Sequence, residues 1–203
     1  FSLYLDEHRG IFPGDGSKSG TDELADITVA DAWFNVVPPY IDLEAYTTLK
    51  LQGKVPCAGM GKSPFICPKS AIDQAMLSKY VAGAQTDFFC SYAMNHWIFN
   101  PDRKNEAFTP RMRLSQIRKP SVFVVLSESP DGKRAKIHAV SMTGEDKSIT
   151  GFRHRDTANT LFADWHVEPI LRRKVLTSGM TVQNNGGEIQ WNPDRDESDV
   201  PLK

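Results

Sequence analysis

Hydrophobic residues follow one another without a polar break in the segment 122–126, Val-Phe-Val-Val-Leu. Successive residues of a strand face opposite sides of a sheet, so a run without alternation indicates a strand that is buried on both faces. We therefore predict a central β-strand over residues 121–129. Glu128 lies at the end of this strand, where a buried carboxylate would need a partner.

Two further apolar runs, 160–163 and 166–170, are separated by Asp164 and Trp165. Two short β-prone runs joined by two residues predict a hairpin, with these two residues at its tip. The aromatic-rich segment 88–95 predicts another strand. Residues 134–142 follow a Pro-Asp-Gly turn signal, and we expect them to form the return strand.

Helical patterns are short. Residues 32–37 predict one or two helical turns that end at Pro38-Pro39, with Trp33 in the core, and residues 71–81 predict a second helix. Residues 1–10 have the features of a helix end, because Gly10 suits a left-handed cap. No helix start precedes them, so we expect the end of a longer helix that is truncated here.

The composition of the chain narrows the number of domains and the kinds of partner, but it does not indicate a function. The chain has 203 residues, of which 40% are hydrophobic and 24% charged, which is typical of one globular domain over residues 1–203. The net charge of −1 argues against a nucleic-acid partner, and so does the lack of a Lys/Arg block longer than two residues in an aromatic-rich setting. No apolar stretch approaches the roughly 20 residues of a membrane helix. Residues 177–203 are poor in apolar residues and predict a surface tail.

The three cysteines, Cys57, Cys67 and Cys90, contain no Cys-x-x-Cys pair, which argues against a structural zinc site. An exported protein could bridge one pair, and Cys67 with Cys90 is the preferred pair because both flank predicted core segments. The alternative is that all three are buried, reduced thiols. The sequence leaves both alternatives open.

The segment 151–170 carries the most specific pattern of the chain. His154 is followed after nine residues by Asp164, and then by His166; Asn159 lies between them. This pattern resembles the prepilin-type processing-associated H-X9-DG domain of pilin-like proteins. The family has Gly where this chain has Trp165. Gly accepts positive φ freely and Trp does not, so either the turn differs here or Trp165 is strained.

Other segments resemble the same family in the same order: the exit from the first helix, 65–68, 91–95 and 114–129. The resemblance implies a pilin-like α+β fold, in which an N-terminal helix packs on an antiparallel β-sheet with inserted short helices and long loops. It also implies a non-catalytic pseudopilin of a type II secretion-like or type IV pilus-like assembly. Such a protein lies outside the cytoplasm, on a membrane helix that this sequence lacks. Its partners would be like subunits, contacted through that helix, and a prepilin peptidase that processes the precursor.

Two other functions remain as alternatives. Trp97 and Trp191 lie in polar surroundings and could engage a glycan or another polymer. A metal-dependent enzyme could use His154, Asp164 and Glu128, since imidazole and carboxylate ligands suit iron. We favour a structural role, in which His154 bonds Asp164 or nearby backbone and Glu128 joins His154 or Arg153. No nucleophile elbow, phosphate loop or zinc-protease motif occurs.

A calcium site is considered only by analogy with secretion-system pseudopilins, some of which hold a structural calcium ion in a C-terminal loop. The candidate ligands are Asp194, Asp196 and Asp199, or Asp156 with Asp164. No EF-hand ladder of ligands is present, and we assign no metal and no cofactor.

Overall fold

The computed structural model describes residues 1–17, 25–54, 63–69, 90–95, 98, 111–129, 136–137, 152–171 and 189. Its helices are short: α1 (Ser2–Glu7), α2 (Trp33–Val36) and α3 (Tyr46–Leu51), with 3-10 turns at Pro38–Ile41 and Leu114–Gln116. Its strands are β1 (Tyr92–Asn95), β2 (Val124–Glu128), β3 (Lys136–Ile137), β4 (Thr157–Phe162) and β5 (Val167–Leu171). In the described part of the chain, none of the helices has the length and apolar character that crossing a membrane requires.

The strands form one sheet in the order β3-β1-β2-β4-β5. The pairs β1–β2, β2–β4 and β4–β5 are antiparallel, while the two-residue β3 runs parallel to β1 at the edge. A four-stranded antiparallel sheet with short helices makes the fold α+β, as predicted. The predicted return strand is corrected, because β3 pairs with β1 rather than with β2.

β2 is the central strand that its apolar run predicted. It lies between β1 and β4, and Val124 and Val125 have no exposed surface. The side chains of Met94 and Leu126 are opposite each other in the register and contribute to the main core, which Leu161 of β4 extends. Ser127 and Thr160 bond to each other through their hydroxyl groups at 2.7 Å and are buried too, so both faces of β2 are covered.

The N-terminal segments cover the core face of the sheet. α1 buries Tyr4 and Leu5, and α2 buries Trp33 and Phe34, all in the same core cluster. α1 ends as the sequence predicted: Gly10 has a φ of +74°, and its N–H donates to the Leu5 carbonyl at 2.7 Å. α1 and α2 therefore share one hydrophobic core with residues of the sheet.

The predicted hairpin is confirmed and is longer than expected, since β4 begins at Thr157 rather than at residue 160. The Trp165 N–H donates to the Phe162 carbonyl, and the Phe162 N–H donates to the His166 carbonyl, each at 3.0 Å. Trp165 has a φ of +75°. A three-residue turn that ends in a left-handed residue is a common hairpin connection, and Gly is the usual residue at that position.

Trp165 therefore keeps a left-handed backbone, which costs a residue with a side chain roughly 1–2 kcal/mol. Its ring stacks on Phe1, with ring centres 6.2 Å apart and planes at 10°, and it lies against Phe12 at 6.4 Å. These aromatic contacts offset the strain. They also attach the hairpin tip to the N-terminal segment.

Several predictions fall outside the described residues: the helix over 71–81, the surroundings of Trp97 and Trp191, Cys57, and nearly all of the tail over 177–203. Within that tail the structure describes Ile189, which is buried.

Candidate functional site

Glu128, at the end of β2, has no exposed side-chain surface. The register pairs Ser127 with Thr160, so Asn159 of β4 lies opposite Glu128. The Asn159 amide nitrogen Nδ2 donates to Glu128 Oε1 at 3.0 Å. A buried carboxylate needs such partners, because an unpaired one costs several kcal/mol.

His154 supplies the second partner. Its Nε2 lies 2.9 Å from Glu128 Oε1. A tight turn positions this ring: His154 and Thr157 exchange two backbone hydrogen bonds of 3.1 Å, and Arg155 and Asp156 between them have φ values of 52° and 67°. Positive φ at both central residues is the geometry of a type I′ turn. This turn leads the chain into β4 and places His154 against the end of β2.

Arg153 balances the charge of the carboxylate. Its Nη2 donates to the Ser129 carbonyl, and its Nη1 lies 3.7 Å from Glu128 Oε2 as an ion pair. Among the described residues, neither Nη1 of Arg153 nor Oε2 of Glu128 has a hydrogen-bond partner. The two atoms face each other by charge alone.

Cys67 completes what we call the Glu128 cluster, which consists of Cys67, Glu128, Arg153, His154 and Asn159. Its Sγ lies 3.1 Å from His154 Nε2, and its backbone N–H donates to Ser91 Oγ at 2.8 Å. Burial raises the pKa of the Cys67 thiol, and the nearby Glu128 carboxylate adds to this effect. A raised pKa keeps this thiol neutral at physiological pH.

The arrangement differs from a nucleophile relay. In a relay, the imidazole takes a proton through one nitrogen and is oriented through the other. Here Cys67 and Glu128 both approach Nε2 of His154. One nitrogen shared between two partners fits a hydrogen-bonded junction or a metal centre better than it fits acyl-transfer chemistry.

Of the two alternatives that the sequence left open for Cys67 and Cys90, the structure has the reduced one: both cysteines are free and buried. Each thiol has its own partner. Cys90 Sγ donates to the Phe65 carbonyl at 3.4 Å, while Cys67 Sγ faces His154.

Asp164 and His166 form a separate pair at the hairpin tip. Asp164 Oδ1 accepts a hydrogen bond from His166 Nδ1 at 2.5 Å and one from the His166 backbone N–H at 3.3 Å. The His166 ring stacks on Phe162, with ring centres 4.4 Å apart. Both members of the pair are exposed.

The length of β4 separates this pair from the Glu128 cluster. The five steps from Thr157 to Phe162 span roughly 17 Å in a strand, and His154 and Asp164 lie beyond its opposite ends. His154 and Asp164 therefore do not bond each other. Asp164 accepts from the nearby backbone of His166, which is the other alternative that the sequence left open, and it does not join His154 and Glu128 in one site. Asp156 and Asp164 are separated in the same way and cannot share a calcium ion. The other calcium candidates, Asp194, Asp196 and Asp199, lie outside the described residues.

An apolar groove of about 460 Å³ borders the Glu128 cluster. Asn159 contributes to both, because it lines the groove while its amide holds Glu128. The groove is also lined by Phe1 and Trp33 of the N-terminal part and by Leu126 and Leu161 of the sheet. It lies where the N-terminal segment meets the sheet.

Comparison of the chain with protein-family models, characterised proteins and solved structures finds no match. The sequence pattern, the Glu128 cluster and the hairpin tip with its Asp164–His166 pair are therefore the basis for the function.

Proposed function

We propose that this protein is a non-catalytic, pilin-like subunit of an envelope assembly of the type II secretion or type IV pilus kind. In this proposal the domain lies outside the cytoplasm and is carried on a membrane-spanning helix that continues into α1. A prepilin peptidase would process the precursor, and like subunits would associate through that helix.

The contact between the hairpin tip and the N-terminal helix carries the proposal. Trp165, at the end of the H-X9-D pattern, stacks on Phe1 next to α1. Tyr4 and Leu5 of α1 are buried in the core over the sheet. A pilin-like subunit requires an N-terminal helix packed on an antiparallel sheet, and the β4–β5 hairpin would hold that helix in place.

The Glu128 cluster supports a structural role for the rest of the pattern. His154 and Arg153 both reach Glu128, and Asn159 holds the same carboxylate from the neighbouring strand. These contacts fasten the turn before β4 to the end of β2. A fixed turn sets the start of β4 and thereby the position of the hairpin whose tip stacks on Phe1.

The outer side of α1 offers a surface for assembly. Leu3 is 59% exposed, although its neighbours Tyr4 and Leu5 are buried. In a bundle of subunit helices, an exposed apolar residue on this side would contact a neighbouring helix. Leu51 of α3, which is 90% exposed, provides a matched control on another helix.

The test is cross-linking in bacterial cells that express the complete gene product together with its prepilin peptidase. Wild type and Leu51→Glu should give a ladder of cross-linked multimers, and Leu3→Glu should weaken the ladder while the protein level stays unchanged. A wild-type protein that remains monomeric in the envelope would contradict the proposal.

The alternatives gain no support from the described residues. Trp97 and Trp191, the aromatic residues predicted for a glycan-binding surface, lie outside them, and Trp33 is buried in the core. The enzyme hypothesis required Asp164 beside His154 and Glu128, and β4 keeps them apart.

A further inference from the structure

Three different metal-ligand atoms meet in the Glu128 cluster. Cys67 Sγ, a carboxylate oxygen of Glu128 and a ring nitrogen of His154 all lie within 4.8 Å of one another. Thiolate, imidazole and carboxylate are the three ligand types that zinc takes in proteins, at about 2.3, 2.0 and 2.0–2.2 Å. Two such ligands around one tetrahedral ion lie roughly 3–4 Å apart. The observed separations of 3.1 Å and 2.9 Å are close to this range.

The surroundings of these atoms resemble the support that metal ligands usually have. Ligating carboxylates and imidazoles are normally held by outer hydrogen bonds or charges. Asn159 Nδ2 donates to Glu128 Oε1, and Arg153 lies 3.7 Å from Glu128 Oε2. Glu128 is fully buried, and the charge of Arg153 faces its Oε2 while its Oε1 lies beside His154.

We propose that Cys67, Glu128 and His154 bind one divalent zinc-class ion. The thiol would lose its proton on binding, because metals take thiolate as their ligand. The fourth position would be open on the side of His154, whose side chain is 29% exposed while that of Glu128 is fully covered. This inference goes beyond the subunit role and does not depend on it.

The donor set also selects the type of ion. Calcium takes 6–8 oxygen ligands and magnesium prefers carboxylates and water, whereas a thiolate favours zinc and related ions. Residues 67, 128 and 154 come from three separate segments. An ion held by all three would cross-link the loop over 63–69, the end of β2 and the turn before β4.

The test uses the 203-residue chain after removal of metals with a chelator. Zn²⁺ is titrated in competition with a chromophoric chelator, and Co²⁺ is then used as a spectroscopic probe. Wild type should bind one Zn²⁺ per chain, and bound Co²⁺ should show the thiolate charge-transfer band. Binding should also raise the midpoint of thermal unfolding, because the ion binds only the folded state.

Variants identify the ligands. Cys67→Ser and His154→Asn should lose zinc affinity by more than about 100-fold, since changes in outer-shell residues alone cost 10–100-fold. Cys90→Ser is the control for a buried thiol that faces the Phe65 carbonyl. His166→Asn is the control for a histidine that pairs with a carboxylate outside the cluster. Both controls should bind zinc as wild type does.

Either of two results with the wild-type chain would overturn the inference: no stoichiometric binding of Zn²⁺, or binding of Co²⁺ without a thiolate band. Full affinity in Cys67→Ser would do the same. The cobalt spectrum needs no variant, so the inference stays testable even if a substitution prevents folding.

Discussion

Replacement of Glu128 by Ala should destabilise the domain by about 3–5 kcal/mol, because it removes one partner of a buried charged network. The substitution takes the acceptor away from Asn159 Nδ2 and from His154 Nε2. It also leaves the guanidinium of Arg153, whose side chain is 12% exposed, without its counter-charge. A domain of this kind is stable by only about 5–15 kcal/mol, so the loss is a large part of the total.

Glu168 provides a matched control on the same sheet. Its carboxylate lies 3.9 Å from His166 Nε2, and its side chain is 48% exposed. Exposed ion pairs contribute about 0–1 kcal/mol, so Glu168→Ala should change stability by less than about 1 kcal/mol. Glu128→Gln keeps the shape and an acceptor but loses the charge. We expect it to cost less than Glu128→Ala, about 1–3 kcal/mol.

The assay is urea unfolding followed by circular dichroism, with a chelator present so that metal binding does not contribute. Free energies come from the unfolding midpoint and the slope of the transition. If Glu128→Ala and Glu168→Ala prove equally mild, the Glu128 cluster is not the buried network described above.

Three other predictions concern the backbone and the thiols. Trp165→Gly should relieve roughly 1–2 kcal/mol of backbone strain at φ +75° but lose more stabilisation from the contacts with Phe1 and Phe12. We expect the free energy of unfolding, measured in urea, to fall by about 1 kcal/mol. A stabilised variant would show that the strain outweighs the packing. Gly16→Ala should lower the free energy of unfolding by at least about 2 kcal/mol, since Gly16 has φ +95° and a Cβ there would overlap the Phe34 ring. Gly53→Ala is the control: Gly53 has φ +66° and a Cβ there would meet nothing within 4 Å, so the loss should be only about 1 kcal/mol. Equal losses in the two variants would contradict the overlap. Burial raises the pKa of Cys90 from 9.0 to about 12, so iodoacetamide at about pH 9 should leave Cys90 unmodified in the folded protein and modify it in urea, as read by mass spectrometry. As pH rises, the thiol of Cys90 loses its proton in the unfolded chain before it does so in the folded protein. The contribution of the protonated thiol to folding stability is therefore complete below about pH 9 and is lost as pH rises from 9 towards 12. A urea midpoint that does not fall over this range would contradict the prediction.

The sequence predicted the elements that depend on neighbouring residues, namely β2 and the β4–β5 hairpin. The unbroken apolar run of β2 indicated burial on both faces, and its position between β1 and β4 follows from that. The two short β-prone runs joined by Asp164 and Trp165 indicated the hairpin. The sequence left two alternatives for Trp165, and the structure has the strained one, with a φ of +75°.

The sequence placed Glu128 beside His154 or Arg153, and the structure has both contacts. Cys67 and the contact between Asn159 and Glu128 could not be assigned from sequence, since they depend on strand register and on segments far apart in the chain. Cys67 and His154 are 87 residues apart, and Glu128 and Asn159 are 31 apart. No local pattern encodes such pairs. The separation of Asp164 from His154 has a simpler cause. Much of the nine-residue spacer is an extended strand, so the two ends of the pattern are held apart rather than brought together.

The proposed subunit role is tested most directly by processing of the complete gene product. The protein is expressed in bacterial cells with and without its prepilin peptidase, and the N-terminus of the envelope-bound form is determined by mass spectrometry. The proposal predicts a shortened form that appears only with the peptidase and stays in the envelope through its N-terminal helix. A product of unchanged length in both strains would contradict it.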